Sequence, residues 1–132
     1  MFRIASAGLA LAALLCAAPG SALAGDPAAG QKTFAVCKAC HQVGETAKNA
    51  VGPKLNGLIG RPAAAIEGYK YSDAMKNSGL TWDEATLGAY IQNPKQIVPG
   101  GKMAYPGLKD ETKVADVIAY LSQFDAEGKT AQ

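Results

Sequence analysis

The run Cys37-Lys38-Ala39-Cys40-His41 limits what this chain can be more than any other feature. Two thiols with two residues between them stand one helical turn apart, and an imidazole follows at once. That spacing suits a porphyrin bound covalently. Each thiol adds across one vinyl group to give a thioether, and the histidine reaches the iron from the same side. A bare CxxC is ambiguous, because zinc sites and dithiol redox pairs share it. His41 is the only histidine in the sequence. It turns the reading towards one haem c held through Cys37 and Cys40, with His41 as an iron ligand. Zinc would need a fourth ligand, and no convincing one stands near the motif.

The segment 1–24 reads as an address. Arg3 gives a short basic start, Ile4 to Ala18 is apolar and uncharged, and Pro19-Gly20 breaks the run. Ala22-Leu23-Ala24 then offers the small-x-small pattern of signal peptidase. The expectation is a secretory signal over 1–24, cleaved after Ala24, and one domain over 25–132 exported to the periplasm. The apolar run is short for a spanning helix, which leaves an uncleaved anchor as the alternative. Cys16 departs with the signal. A disulfide between the remaining two thiols would close so small a loop that it would restrain the unfolded chain little.

A chain of 132 residues that loses this segment carries a single modest core. Its formal charge of +2 drops by one with Arg3, and so small a surplus argues against nucleic acid as a partner. Lys38, Lys48, Lys54, Lys70, Lys76, Lys95, Lys102, Lys109 and Lys113 occupy the middle of the chain, whereas Asp125 and Glu127 lie near its end. Singly, these lysines read as solvated surface. Several of them around an exposed haem edge would steer an acidic partner by long-range attraction.

Helix signals are few. Asp26-Pro27 supplies an N-cap and a first-turn proline, opening a helix that runs past Gly30 and Phe34 into the cysteine motif. Gly44, Gly52-Pro53, Gly57, Gly60, Pro62 and Gly68 make the stretch from Gln42 to about Tyr71 a loop. A loop that long needs an organiser, and a large flat cofactor would be one. Ser72 caps a short helix ending near Asn77-Ser78-Gly79. Thr81-Trp82-Asp83-Glu84 reads as a capping box opening a helix to about Gln92, stopped by Asn93-Pro94. Residues 97–103 form another loop. Asp110 caps the last helix, whose Val114, Val117, Ile118, Leu121 and Phe124 share one apolar stripe. With no convincing strand, the predicted class is all-α: three main helices, a short one, and long loops.

The iron's sixth ligand separates a carrier from an enzyme. Met75, Met103, a lysine or water are the candidates once His41 is used. Met75 lies in the short helix, where core filling is the commoner role. Met103 lies in a loop stiffened by Pro99 and Pro106 and freed for close approach by Gly100 and Gly101. Beside CxxCH, it is the expected ligand.

Several stretches together resemble the class I c-type cytochromes, nearest the cytochrome c2 and mitochondrial cytochrome c group. They are Cys-Lys-Ala-Cys-His at 37–41, Gly-Pro-Lys-Leu-Asn-Gly-Leu-Ile-Gly-Arg at 52–61 and Gly-Tyr-Lys-Tyr-Ser-Asp-Ala at 68–74. Leu-Thr-Trp at 80–82, Asn-Pro-Lys at 93–95, Val-Pro-Gly-Gly-Lys-Met at 98–103 and Val-Ile-Ala-Tyr-Leu at 117–121 continue the series. The resemblance implies a cytochrome c fold wrapped around one covalent haem. It also implies that the Pro53 carbonyl accepts the second ring N–H of His41. Trp82 and Tyr71 would hydrogen-bond a haem propionate, Arg61 would offset its charge, and Tyr90 would pack beside the Met103 sulfur. Gly30 and Phe34 would meet Tyr120 where the first and last helices cross. Two departures stand out: Gly101 replaces a threonine and Met75 an asparagine of the mitochondrial members. The expectation is a ligand loop of different stability, with Lys102 the nearest replacement ligand in alkali. Tyr105 keeps an aromatic at the haem edge.

The expected function is one-electron transfer without catalysis. Haem iron would cycle between Fe(III) and Fe(II) in a monomer whose edge, near Cys40, Lys38, Lys102 and Tyr105, meets membrane redox complexes. These would be a quinol-cytochrome c reductase on one side and an oxidase or photosynthetic reaction centre on the other, in respiratory or photosynthetic transport. Two other readings compete: a haem enzyme or gas sensor with an open iron, and a small module with a redox-active or zinc-binding CxxC.

Overall fold

The computed structural model describes residues 24–130, so the signal call, apart from Ala24, lies outside the described residues. Helix α1 (Pro27–Thr33) is followed by a 3-10 turn at Phe34–Val36 that leads into the cysteine motif. Then come α2 (Asp73–Lys76), α3 (Glu84–Gln92), α4 (Pro94–Ile97) and α5 (Glu111–Leu121). Pairing of the β type is confined, among the described residues, to the isolated bridges Pro62 with Thr81 and Phe124 with Thr130. The all-α expectation holds, and so does the long loop between the cysteine motif and α2.

The caps explain where the helices begin. Asp26 accepts from Ala28 N at 2.9 Å, Ser72 from Met75 N at 3.1 Å, and Asp110 from both Thr112 N and Lys113 N. Each satisfies backbone donors that the first helical turn leaves unpaired. For α3 the expectation needs correcting. The cap is Asp83, accepting from Thr86 N at 2.7 Å, and Thr81 is instead held in its bridge with Pro62. A second correction is α4. Asn93-Pro94 ends α3 but also opens a further turn, because proline is well suited to the first helical position.

Helices α1 and α5 cross and fix the frame. A Cβ on Gly30 would lie 1.9 Å from the carbonyl oxygen of Asp116, so only glycine lets the two backbones approach this closely. Below the crossing, the rings of Phe34 and Tyr120 stand 5.4 Å apart between centroids, as the resemblance implied. Asp26 N also donates to Asp116 Oδ1 at 2.8 Å. Val114, Val117, Ile118 and Leu121 are buried along α5. They join Leu87 and Tyr90 of α3, and Leu55 and Leu58 of the loop, in one core. Phe124 packs on that core while staying partly exposed.

Candidate functional site

This core is not filled by side chains alone. A cleft of about 490 Å³ opens within it, inside the roughly 300–1,000 Å³ typical of cofactor pockets. Its wall is mainly apolar, with Leu55, Leu58, Leu87, Ile91, Val117 and Leu121 among the lining residues. The residues expected to hold the haem and its iron all line it: Cys37, Cys40, His41, Pro53, Arg61, Tyr71, Trp82, Tyr90 and Met103. Residues as far apart in sequence as Cys37 and Met103 are thus brought to one surface.

The turn after the 3-10 segment presents the cysteine motif. Cys37 N and Lys38 N both bond to Phe34 O, and His41 N bonds to Cys37 O at 2.9 Å. Both thiols are half-buried and unpaired by disulfide. Burial, with Cys40 adding to it, pushes the Cys37 thiol up from its ordinary value. His41 is fixed from behind. Its Nδ1 lies 2.7 Å from Pro53 O, and a carbonyl only accepts, so Nδ1 carries the proton and Nε2 keeps its lone pair for a metal. Burial lowers the imidazole's pKa, Arg61 lowers it further, and the Pro53 bond opposes them. Gly52 is the backstop. A Cβ there would stand 2.4 Å from His41 Cε1, inside the ring's own volume.

At the polar end, Arg61 donates from Nη1 to Asn56 O at 2.8 Å. Its Nε is buried without any partner, alone among the described side-chain atoms in that respect. An unsatisfied buried donor costs about 1–3 kcal/mol, more on a charged group, so Arg61 is built for an acceptor the protein does not supply. Tyr71 fits the same purpose: its hydroxyl accepts from Ile66 N at 3.1 Å and keeps its proton to donate. Trp82 and Tyr90 are buried, with ring centroids 4.9 Å apart. Burial, helped by Tyr69, pushes the Tyr90 phenol up to about 12, so it is a neutral donor at working pH. Burial also raises the Tyr105 phenol, with Cys37 contributing. An apolar slot with thiols and imidazole on its lining, a thioether on the same lining and an orphaned guanidinium fits a haem with its propionates.

The two departures have structural counterparts. Met75 is half-buried on the slot. Gly101 N donates to Val98 O at 3.0 Å, and a Cβ on Gly101 would come within 2.9 Å of that same oxygen. A threonine would therefore force this turn to shift. Lys102 is engaged at the rim: its Nζ donates to Lys70 O at 2.9 Å. Sequence reasoning missed Tyr69 and Val51, which also line the slot. Only the Tyr-x-Tyr spacing with Tyr71 hinted at the first.

Such a cavity in an all-α shell defines a small protein that encloses a covalently attached haem. The cytochrome c family profile matches residues 27–125, and the chain belongs to that family. It is 56% identical over 130 residues to cytochrome c-554 of Methylosinus trichosporium, covering 98% of both chains. It is 59% identical over 105 residues to cytochrome c2 of Rhodoblastus acidophilus, covering 80% of this chain and 98% of that protein. Among solved structures, cytochrome cH from Methylobacterium extorquens aligns with a TM-score of 0.71 and 54% identity, over 74% of this chain and 98% of that one. The chain is a class I c-type cytochrome of the c2 group, with the cytochrome c fold and one haem c bound through Cys37 and Cys40. It is an electron carrier.

Proposed function

We propose that this protein is a monomeric periplasmic carrier in which His41 and Met103 would hold the haem iron, working between membrane redox complexes after removal of residues 1–24. When bound, the haem supplies reversible one-electron exchange between Fe(III) and Fe(II). The observation that carries the reading is the His41–Pro53 bond of 2.7 Å in a slot that Met103 also lines. Pro53 orients the imidazole, fixes its tautomer and raises its basicity as a ligand. Met103 adds a soft, neutral thioether that favours the ferrous state, and burial penalises the extra charge of the ferric one. Both act towards a positive potential. Arg61, Tyr71 and Trp82 hold the propionate end, and the apolar lining excludes water.

A carrier rather than an enzyme is supported by the lining itself. His41 is its only histidine, and no carboxylate stands among the described lining residues. That leaves peroxide chemistry without an acid-base pair. Exposed Lys38 and Lys102 sit beside the cysteine motif and the methionine, where they would draw an acidic partner. The donor in this reading is a quinol-cytochrome c reductase, and the acceptor an oxidase or photosynthetic reaction centre. Stopped-flow reduction of the purified holoprotein by membranes containing a quinol-oxidising complex tests this. A single one-electron wave by potentiometry and a rate that falls as salt is added are expected. A rate indifferent to ionic strength would remove the lysines from the docking surface.

A further inference from the structure

The turn 66–72 touches two loops that sequence keeps far apart. Towards the loop that backs His41, Tyr69 Oη donates to Val51 O at 2.7 Å, and Asn49 Nδ2 donates to Glu67 O at 3.2 Å. Towards the loop that carries Met103, Lys102 Nζ lies 5.0 Å from the centroid of the Tyr69 ring while donating to Lys70 O at 2.9 Å. The ring is itself braced, edge-on, by Tyr71 with centroids 4.8 Å apart. Val51, Tyr69 and Lys102 all line the slot.

We propose that Tyr69 is a positioning residue, a latch that joins the His41 and Met103 loops so that neither opens alone. One side chain acts at both ends. Its hydroxyl holds Val51, one residue before the Gly52 backstop of His41. Its ring face holds the ammonium of Lys102, one residue before Met103, through cation–π attraction. Opening the methionine loop therefore frees the ring that carries the Val51 bond, and loss of that bond loosens the ring under Lys102. The proposal rests on the His41/Met103 reading for its consequence at the iron, but not for the coupling between the loops.

Three ferric holoproteins test it at one neutral pH: the parent, Tyr69→Phe and Tyr69→Leu. Phenylalanine keeps the ring and removes only the bond to Val51. Amide hydrogen exchange is followed by mass spectrometry over 49–53 and 98–104, and the rate at which saturating imidazole enters the iron's coordination sphere is measured alongside. Tyr69→Phe is expected to speed exchange in both segments and imidazole entry by about fivefold, the factor that one net hydrogen bond is worth. Tyr69→Leu is expected to exceed it. Faster exchange confined to 49–53, with 98–104 and the imidazole rate unchanged, would overturn the latch. If Tyr69→Leu does not fold, Tyr69→Phe decides alone. A parent lacking the methionine-to-iron charge-transfer band would remove the ligation reading, while hydrogen exchange would still decide the coupling.

Discussion

Arg61 and Gly52 show how single residues prepare this cavity from opposite directions. Arg61 carries an unmet need, a buried Nε with no protein acceptor, whereas Gly52 contributes by lacking a side chain. With 2.4 Å between its hypothetical Cβ and His41 Cε1, Gly52→Ala must push the imidazole off its seat. The unfolding midpoint of the holoprotein in guanidinium chloride should fall by the equivalent of about 2 kcal/mol. An unchanged midpoint would mean that His41 does not rest on this backbone. The cysteine motif and His41 were legible from residue types and spacing alone. Pro53, Arg61, Tyr71, Trp82 and Tyr90 were reached through resemblance, because nothing in their local pattern separates a site residue from a buried aromatic or a surface arginine. Tyr69 escaped both routes. Its partner is the Val51 carbonyl, 18 positions away, and a backbone acceptor leaves no mark in the sequence.

At the scale of elements, capping chemistry was the most readable signal, since Asp and Ser side chains bond their own backbone within three residues. It misled only where two cap formers stood close together. Thr81 is drawn into pairing with Pro62, a long-range contact, and the cap passes to Asp83. The Thr86 N–H bond holds the Asp83 carboxylate below its usual range. A carboxylate with a depressed native pKa stabilises the fold above its unfolded value, near 3.9, and that contribution disappears as pH falls through the native value. Asp83→Ala should therefore lower the thermal midpoint modestly at pH 7, with the gap to the parent closing in acid. A gap that stays constant down to the most acid conditions would contradict the capping role. The α1–α5 crossing makes a larger demand. Alanine is the better helix former, yet a Cβ on Gly30 would be 1.9 Å from Asp116 O. Gly30→Ala is expected to cost about 2 kcal/mol in denaturant titration, and any stabilisation would show that the helices can separate freely.

For the molecule as a whole, the sequence disclosed a shell with too little of its own to fill it. The glycine- and proline-rich stretch 42–71 could be recognised as loop, but not how it folds, because its order comes from scattered backbone bonds such as Gly52 N to Cys40 O and Leu55 N to Gln42 O. Those bonds give the loop an inner face, and α3 and α5 provide the rest of an apolar slot. In the carrier reading, two protein ligands, His41 and Met103, close that slot around the iron. The visible spectrum of the matured ferric protein, followed by carbon monoxide after reduction, tests this closure most directly. His41/Met103 ligation predicts a weak far-red methionine-to-iron charge-transfer band and no carbon monoxide shift. A missing band with a rapid shift would mean an open iron, and would contradict the carrier account in favour of a haem enzyme or gas sensor.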